Sequence, residues 1–345
     1  MAKPARVDIL IPAYNAAATL RATLNSVRLQ TLPLESVTVV DDGSTDATAD
    51  IAGSFKGVRY VRNERNLGCS GNWNRCLDLA TGDLVCLLHS DDLLVPGWHA
   101  RLQDDVRLAE KPLETAYYLG AVRFADRGGI VESYRFDDRA RLHAPGELLK
   151  RLWRHHFYGL TTSACMVYGR ELLARLGRFP GAEFPNMPDV PFHWALLLDY
   201  PIVYDPELLV LIRRGAPNQV GKSRRTELAL GALKAYEAVA GRLAAVLGRD
   251  PARVTAEYLF PYGVMDLLGT GRGKSEVPAA VLEAFRAAEA RCGKAYLLAV
   301  ALGELAERMR RGCERSRRAK QVAALLAQIE DGGERLEGSR EPSRN

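Results

Sequence analysis

Four short apolar runs, at residues 7–11, 37–41, 58–61 and 84–88, each stop at a group of turn-forming residues and give way to a stretch of helical period. Those stretches fall at about 20–30, where Leu20, Leu24 and Val27 share a face, and at about 47–55, 73–79 and 96–110. A chain that alternates strand and helix in this way is restricted to α/β architecture, a mainly parallel sheet flanked by helices. Parallel neighbours need a long crossover, and the crossover helix covers the sheet. In open sheets of this kind ligands bind beyond the carboxyl ends of the strands. The residues that follow each run therefore converge on one crevice.

The fourth run, Leu84-Val85-Cys86-Leu87-Leu88, delivers His89-Ser90-Asp91-Asp92 to that crevice. Adjacent carboxylates present hard oxygen ligands suited to Mg2+ or Mn2+, and an ion held by few protein groups keeps positions open for substrate phosphates. Ser90 or Asp91 also fits a helix cap ahead of Pro96. The second run ends at Asp42-Gly43-Ser44-Thr45-Asp46, all residues that favour turns and N-caps.

Past the acid pair the alternation loosens. Strands are expected at 115–124 and 130–135, joined by a turn at Asp126-Arg127-Gly128-Gly129, and again at 164–168 and 208–212. Helices are expected at 146–153, 170–176 and 190–198. From about Gly221 strand signals vanish, and stripes such as Leu233, Tyr236, Val239, Ala240 and Leu243 mark helices. Two more stripes follow, Leu298, Leu302, Leu305 and Met309, then Val322, Leu325, Leu326 and Ile329. The expected organisation is a nucleotide-binding and catalytic unit at 1–220, a helical unit at 221–331 for acceptor docking or homodimerisation, and a disordered tail at 332–345.

With 345 residues and a net charge of +5, the chain has room for a large core and a modest basic excess. Its densest basic cluster, Arg308, Arg310, Arg311, Arg315, Arg317, Arg318 and Lys320, is interrupted by acids and lacks aromatic neighbours. That pattern fits a solvated helix face better than a nucleic-acid surface. Six scattered cysteines with no C-x-x-C spacing argue against a zinc module or disulfide framework. No apolar run is long enough to span a bilayer, and the first apolar run begins too early to leave space for a signal peptide, so a cytoplasmic location is expected.

Taken in order, Ile11-Pro12-Ala13-Tyr14-Asn15, Val40-Asp41-Asp42-Gly43-Ser44-Thr45-Asp46, Asn66-Leu67-Gly68 and Leu88-His89-Ser90-Asp91-Asp92 resemble the family 2 glycosyltransferases, inverting enzymes of the GT-A fold. Order and spacing match over roughly the first hundred residues. Further on the likeness is looser, resting on Gly159-Leu160-Thr161-Thr162-Ser163, Arg170-Glu171-Leu172-Leu173, Phe179, Asp189 and residues 208–213. The resemblance implies a nucleotide-sugar donor and a saccharide, natural-product or peptide acceptor. It implies that Asp41 accepts a hydrogen bond from the base, which suits the imide N–H of uracil and equally of thymine. Pro12, Tyr14, Asn15, Asn66 and Gly68 would line the nucleoside pocket, with Ser90 and Asp91 beside the nucleotide. Asp91 and Asp92 would hold a divalent metal against the diphosphate, and Asp189 would be the general base. Glu183 and His193 stand in reserve for that role.

Two positions depart from the family pattern. His89 stands where Asp is commoner, and a neutral imidazole still serves as a metal ligand. Gly215 stands where relatives often carry a His two residues after an Arg, with Asn218 and Gln219 as partial substitutes. Arg213 or Arg214 can instead offset diphosphate charge, while His155, His156, His193 and Trp194 are candidates for the acceptor or phosphate side. Transfer to a hydroxyl is the main expectation. Transfer to a peptide side chain and non-catalytic binding of a sugar nucleotide are the alternatives.

Overall fold

In β1 (Val7–Ala13) every residue is buried, as an apolar run without polar alternation requires of a strand covered on both faces. Parallel partners flank it, β2 (Ser36–Asp41) on one side and β4 (Leu84–Leu87) on the other. Beyond β2 lies β3 (Val58–Arg62), an edge strand that turns Val58 and Tyr60 inward and exposes Arg59 and Arg62. The crossovers carry α1 (Leu20–Arg28), α2 (Thr48–Gly53) and α3 (Gly68–Leu79). This computed structural model describes residues 4–34, 36–125, 130–134, 137–154, 163–181, 183–184, 188–215, 225–267, 279–293, 296–297, 300–302 and 318–330.

After the acid pair come β5 (Leu93–Leu94), α4 (Trp98–Val106), β6 (Ala116–Ala125), β7 (Ile130–Tyr134), β8 (Arg141–His143) and α5 (Glu147–Arg154). Then follow β9 (Met166–Gly169), α6 (Arg170–Leu176), α7 (Asp189–Asp199) and β10 (Ile202–Arg214). The described strands form one sheet in the order β3-β2-β1-β4-β9-β6-β10-β5, with β7 beside β6 and β8 beside β10. Antiparallel β9, set between β4 and β6, is where the regular alternation ends. Neither β5 nor β8 was expected, because two or three residues are too few to show a period.

The last strand begins at Ile202, ahead of the expected 208, and breaks register with β6 between Asp205 and Val210. At that break the chain presses on Gly120. A Cβ there would sit 2.2 Å from the Glu207 carbonyl oxygen, so only glycine fits the approach. Beyond the bulge β10 pairs with β6 on one side and β5 on the other, which carries Arg213 to the acid pair.

The remaining described chain is helical: α8 (Arg225–Glu237), α9 (Ala240–Leu247), α10 (Pro251–Leu267), α11 (Ala279–Cys292) and a helix at 318–330. Its first apolar stripe is interrupted between α8 and α9, yet Leu233, Tyr236 and Leu243 are all buried. Glu257 on α10 accepts the indole N–H of Trp153, the Tyr296 hydroxyl and, at 2.8 Å, the Arg249 guanidinium, tying the helices to α5. The third stripe lies on the sheet, where Val322 and Ile329 join Leu93, Val122, Phe124 and Leu211 in a second apolar cluster. Those side chains are thus used within the chain and are not free to pair two copies. Leu298, Leu305 and Met309 lie outside the described residues, as do 332–345 and the basic cluster up to Arg317. Arg318 departs from the expected solvated face: it is buried and donates to the Pro206 carbonyl at 3.3 Å. No helix among the described residues is long and apolar enough to cross a membrane.

Gly120→Ala is expected to destabilise the chain by roughly 3 kcal/mol in urea unfolding, because the obstacle is backbone. Gly53→Ala, whose Cβ would meet nothing within 4 Å, is the matched control and should be neutral or slightly stabilising.

Candidate active site

The Leu88 N–H still bonds the Leu10 carbonyl at 3.0 Å, then the chain turns, with the Asp92 N–H donating to the His89 carbonyl at 3.1 Å. Two hydroxyls of α1 support this turn from below. Thr23 donates to the Ser90 carbonyl at 3.0 Å, and Ser26 accepts the Leu94 N–H at 3.1 Å. Both are fully buried in an otherwise apolar stripe, an anomaly that is readable once the helical face is known. From the side, the Arg213 N–H donates to Asp92 Oδ1 at 2.9 Å, while its guanidinium donates to the Asp91 carbonyl at 3.2 Å and lies over Phe124. Arg214, the next residue, is exposed. The sequence suggested Arg213 for phosphate charge, and the structure shows it clasping the acid turn.

Asp91 and Asp92 are both buried. Burial pushes the Asp91 carboxyl up to about 7, the adjacent Asp92 charge adds to this, and His89 and Arg213 oppose it. For His89 burial works against the charged imidazole, but Asp92, Asp91 and Asp189 outweigh it and raise its pKa. Its Nδ1 lies 3.4 Å from Asp92 Oδ2. Donor atoms of His89, Asp91 and Asp92 all lie within 4.8 Å of one another, and Asp92 Oδ2 and His89 Nε2 are buried with no hydrogen-bond partner. Two carboxylates and an imidazole with unsatisfied acceptors form a donor set that fits a divalent cation.

Asp189 is the first residue of α7 and is partly exposed. Burial of the carboxyl raises its pKa, opposed by His89, by its own and Val190 N–H groups and by Arg123. The Cys69 thiol is pushed up to about 12 by burial, with Asp189 and Asp42 adding to the shift, so it stays protonated beside the site. His193 and Trp194, expected toward the acceptor, instead face the core. His193 bonds the Tyr168 hydroxyl at 2.8 Å, and Trp194 packs between Trp153 and Tyr258. Glu183 is exposed, 4.0 Å from Lys234. His155, His156, Asn218 and Gln219 lie outside the described residues.

Of the residues expected to line the nucleoside pocket, Pro12 is buried and Tyr14 is 47% exposed. Asn15, in the left-handed region at φ 48, accepts the Thr45 N–H at 2.9 Å and donates its own N–H to Ser44 at 2.8 Å. Asp42 accepts the Leu67 and Gly68 N–H groups at 2.8 and 2.9 Å, so it fixes the exposed loop that carries Asn66. Asp41 is wholly buried, and its carboxylate receives four donors: the Ser44 N–H and hydroxyl, the Tyr60 hydroxyl at 2.6 Å and Arg62 at 2.8 Å. That fills the carboxylate's capacity of about four lone-pair sites. Tyr60 and Arg62 were not anticipated. Their signal is present in hindsight, as polar atoms one strand over from Asp41 at matched register.

A mainly parallel sheet flanked by helices, whose central strands end at a buried acid pair, is the GT-A arrangement of sugar-transferring enzymes. Residues 8–177 match the family profile described as "Glycosyl transferase family 2". The Mycobacterium tuberculosis protein MT1568, itself uncharacterized, is 30% identical over 236 residues, which span 65% of this chain and 72% of that one. The amylovoran biosynthesis glycosyltransferase AmsB of Erwinia amylovora is 38% identical over 111 residues, 30% of this chain and 36% of AmsB. Among solved structures, S. aureus TarS 1-349 in complex with UDP is similar with a TM-score of 0.58 at 18% identity, covering 88% of each chain. The mannosyltransferase PcManGT of Pyrobaculum calidifontis, in complex with GDP-Man and Mn2+, gives 0.50 at 20% identity, again over 88% of each. The chain belongs to glycosyl transferase family 2. It is a glycosyltransferase with a GT-A fold.

A cation entering the cluster must displace the proton that Asp91 holds up to about pH 7. Mn2+ affinity, measured by calorimetry on the full chain, should therefore fall about tenfold from about pH 8 to about pH 6. The stability of the metal-free protein should run the other way. The folded state binds this proton more tightly than the unfolded chain, so stability is lost as pH rises from the ordinary carboxylate range to about 7.

Proposed function

We propose that the chain moves a sugar from a UDP-linked donor to an acceptor hydroxyl with inversion at the anomeric carbon, with Asp189 as general base. In this reading Asp91, Asp92 and His89 hold a divalent ion. The observation that carries it is the cluster itself, with donor atoms of His89, Asp91 and Asp92 within 4.8 Å of one another at the sheet mouth; the influence of the Asp189 carboxylate on His89 supports the choice of base. An inverting displacement needs one base opposite the departing group, and no covalent enzyme intermediate. Raised basicity suits a carboxylate that must take a hydroxyl proton, and the N-terminus of α7 favours the ionised form between turnovers. A divalent ion at the cluster supplies a Lewis acid for the leaving diphosphate. Arg213 keeps both acids in place through its N–H and guanidinium.

For the base, an N–H that reaches Asp41 must take the place of a donor already there. Arg62 is the one free to move, since its side chain is 48% exposed while its partner is wholly buried. Once released, its guanidinium offers N–H donors beside the Asp41 acceptor, the pattern that complements the imide and carbonyl of uracil. TarS, which has this fold, was solved with UDP. Residues 1–220 would then be the catalytic unit. The helices from 221 to 331 would border the acceptor side, because Tyr258 packs against Trp194 on the helix that carries Asp189.

Asp189→Asn should lower kcat by about a thousandfold and leave UDP affinity within about twofold. Wild-type kcat/KM should fall toward acid through a pKa above that of an ordinary aspartate, and this limb should vanish in the variant. Wild-type turnover by Asp189→Asn would remove the assignment. Product anomeric configuration, read by NMR, tests inversion separately.

A further inference from the structure

His89 is the one nitrogen donor of the metal-ligating cluster, and a Trp holds it. The Trp73 indole on α3 stacks on the His89 imidazole with centroids 5.1 Å apart and planes 22° from parallel. Both imidazole nitrogens direct their lone pair or N–H in the ring plane, so the stack covers a face and consumes neither nitrogen. Nδ1 stays turned to Asp92 Oδ2 at 3.4 Å, and Nε2 stays buried with no hydrogen-bond partner.

The stack is itself braced. Phe179 meets Trp73 edge-on at 5.1 Å, and Phe192 of α7 stacks on Phe179 at 4.0 Å. Asn74, the neighbour of Trp73, locks Phe179 to α3 by two backbone hydrogen bonds of 2.9 Å each. The imidazole orientation is thereby set by packing that runs from α3 to α7, together with the approach of Nδ1 to Asp92 Oδ2. Carboxylate oxygens suit Mg2+ and Mn2+ alike, but Mg2+ demands near-ideal octahedral geometry and dehydrates reluctantly, so a fixed nitrogen in place of an oxygen ligand works against Mg2+ more than against a first-row transition ion such as Mn2+.

We propose that Trp73 is a positioning residue that fixes His89 as a nitrogen ligand and so makes this site select Mn2+ over Mg2+. This rests on the reading of His89, Asp91 and Asp92 as the metal site. Trp73 touches no metal and acts only through His89.

Calorimetric titration of the full chain with MnCl2 and MgCl2, together with pulsed EPR of bound Mn2+, tests this. The wild type should prefer Mn2+ by at least about tenfold and show nitrogen hyperfine modulation from His89. His89→Asp should lose the nitrogen signal and bring the two affinities together. Trp73→Leu should weaken Mn2+ about tenfold while leaving Mg2+ unchanged, and Trp73→Phe, which keeps a stacking ring, should restore most of the loss. A wild-type Mn2+ signal without nitrogen coupling, or an unchanged ion preference in His89→Asp, would overturn the role of His89. If Trp73→Leu does not fold, Trp73→Met, which keeps apolar bulk without a ring, takes its place, and wild-type Mn2+ affinity with intact nitrogen modulation in that variant counts against the positioning role. Binding of neither ion by the wild type would instead remove the metal site on which the inference stands.

Discussion

Two carboxylates buried side by side at the end of β4 are the constraint on which the rest of the site depends. Burying one ionised carboxylate is costly, and a second beside it adds repulsion that the fold must offset. The fold does so locally and incompletely. Arg213 bonds Asp92 through its N–H and the Asp91 carbonyl through its guanidinium, and α1 supplies Thr23 and Ser26 to the same turn. What remains is an Asp91 carboxyl protonated up to about 7 and an Asp92 oxygen without a hydrogen-bond partner. A site left short of positive charge in this manner fits a cation.

The neighbouring loops are tied to the same strand ends. Asp42 donates its N–H to the Ala13 carbonyl at 2.8 Å and, through its carboxylate, accepts the N–H groups of Leu67 and Gly68. The turn after β2 thus holds both the β1 mouth and the loop before α3. Asp41 is engaged just as fully, by Ser44, Tyr60 and Arg62. On the proposed reading, nucleotide recognition at this carboxylate would be an exchange of partners, with the exposed Arg62 as the movable member. Behind the acid turn, Leu93 and Leu211 pack beneath the helix at 318–330, so a segment distant in sequence supports the strands that present Asp92 and Arg213.

Four strand ends were legible in the sequence because each apolar run is long enough to show itself and each stops at turn-forming residues. Asp189 was legible for a similar reason, as an acid opening a helical stretch in the family's order. The orientation of α7 beyond it was not. Phe192, His193, Trp194, Leu196, Leu197 and Leu198 are all buried, so the helix has no polar face to show which side meets the cleft. β5 and β8 are too short to leave a period, and the bulge of β10 against Gly120 is a contact between segments far apart in the chain. Trp73 reads as an ordinary apolar helix residue. Its stacking partner lies on the next strand's exit, a relation that only the packing of α3 on the sheet creates.

The central claim is that the cluster of His89, Asp91 and Asp92 binds a nucleotide diphosphate through a divalent ion. Titration of UDP into the full chain, once with Mn2+ and once with a chelator, tests it most directly. The account predicts that UDP binds at least about tenfold more tightly with Mn2+, since an ion held by His89, Asp91 and Asp92 would supply positive charge to the diphosphate. Equal UDP affinity in the two titrations would contradict it.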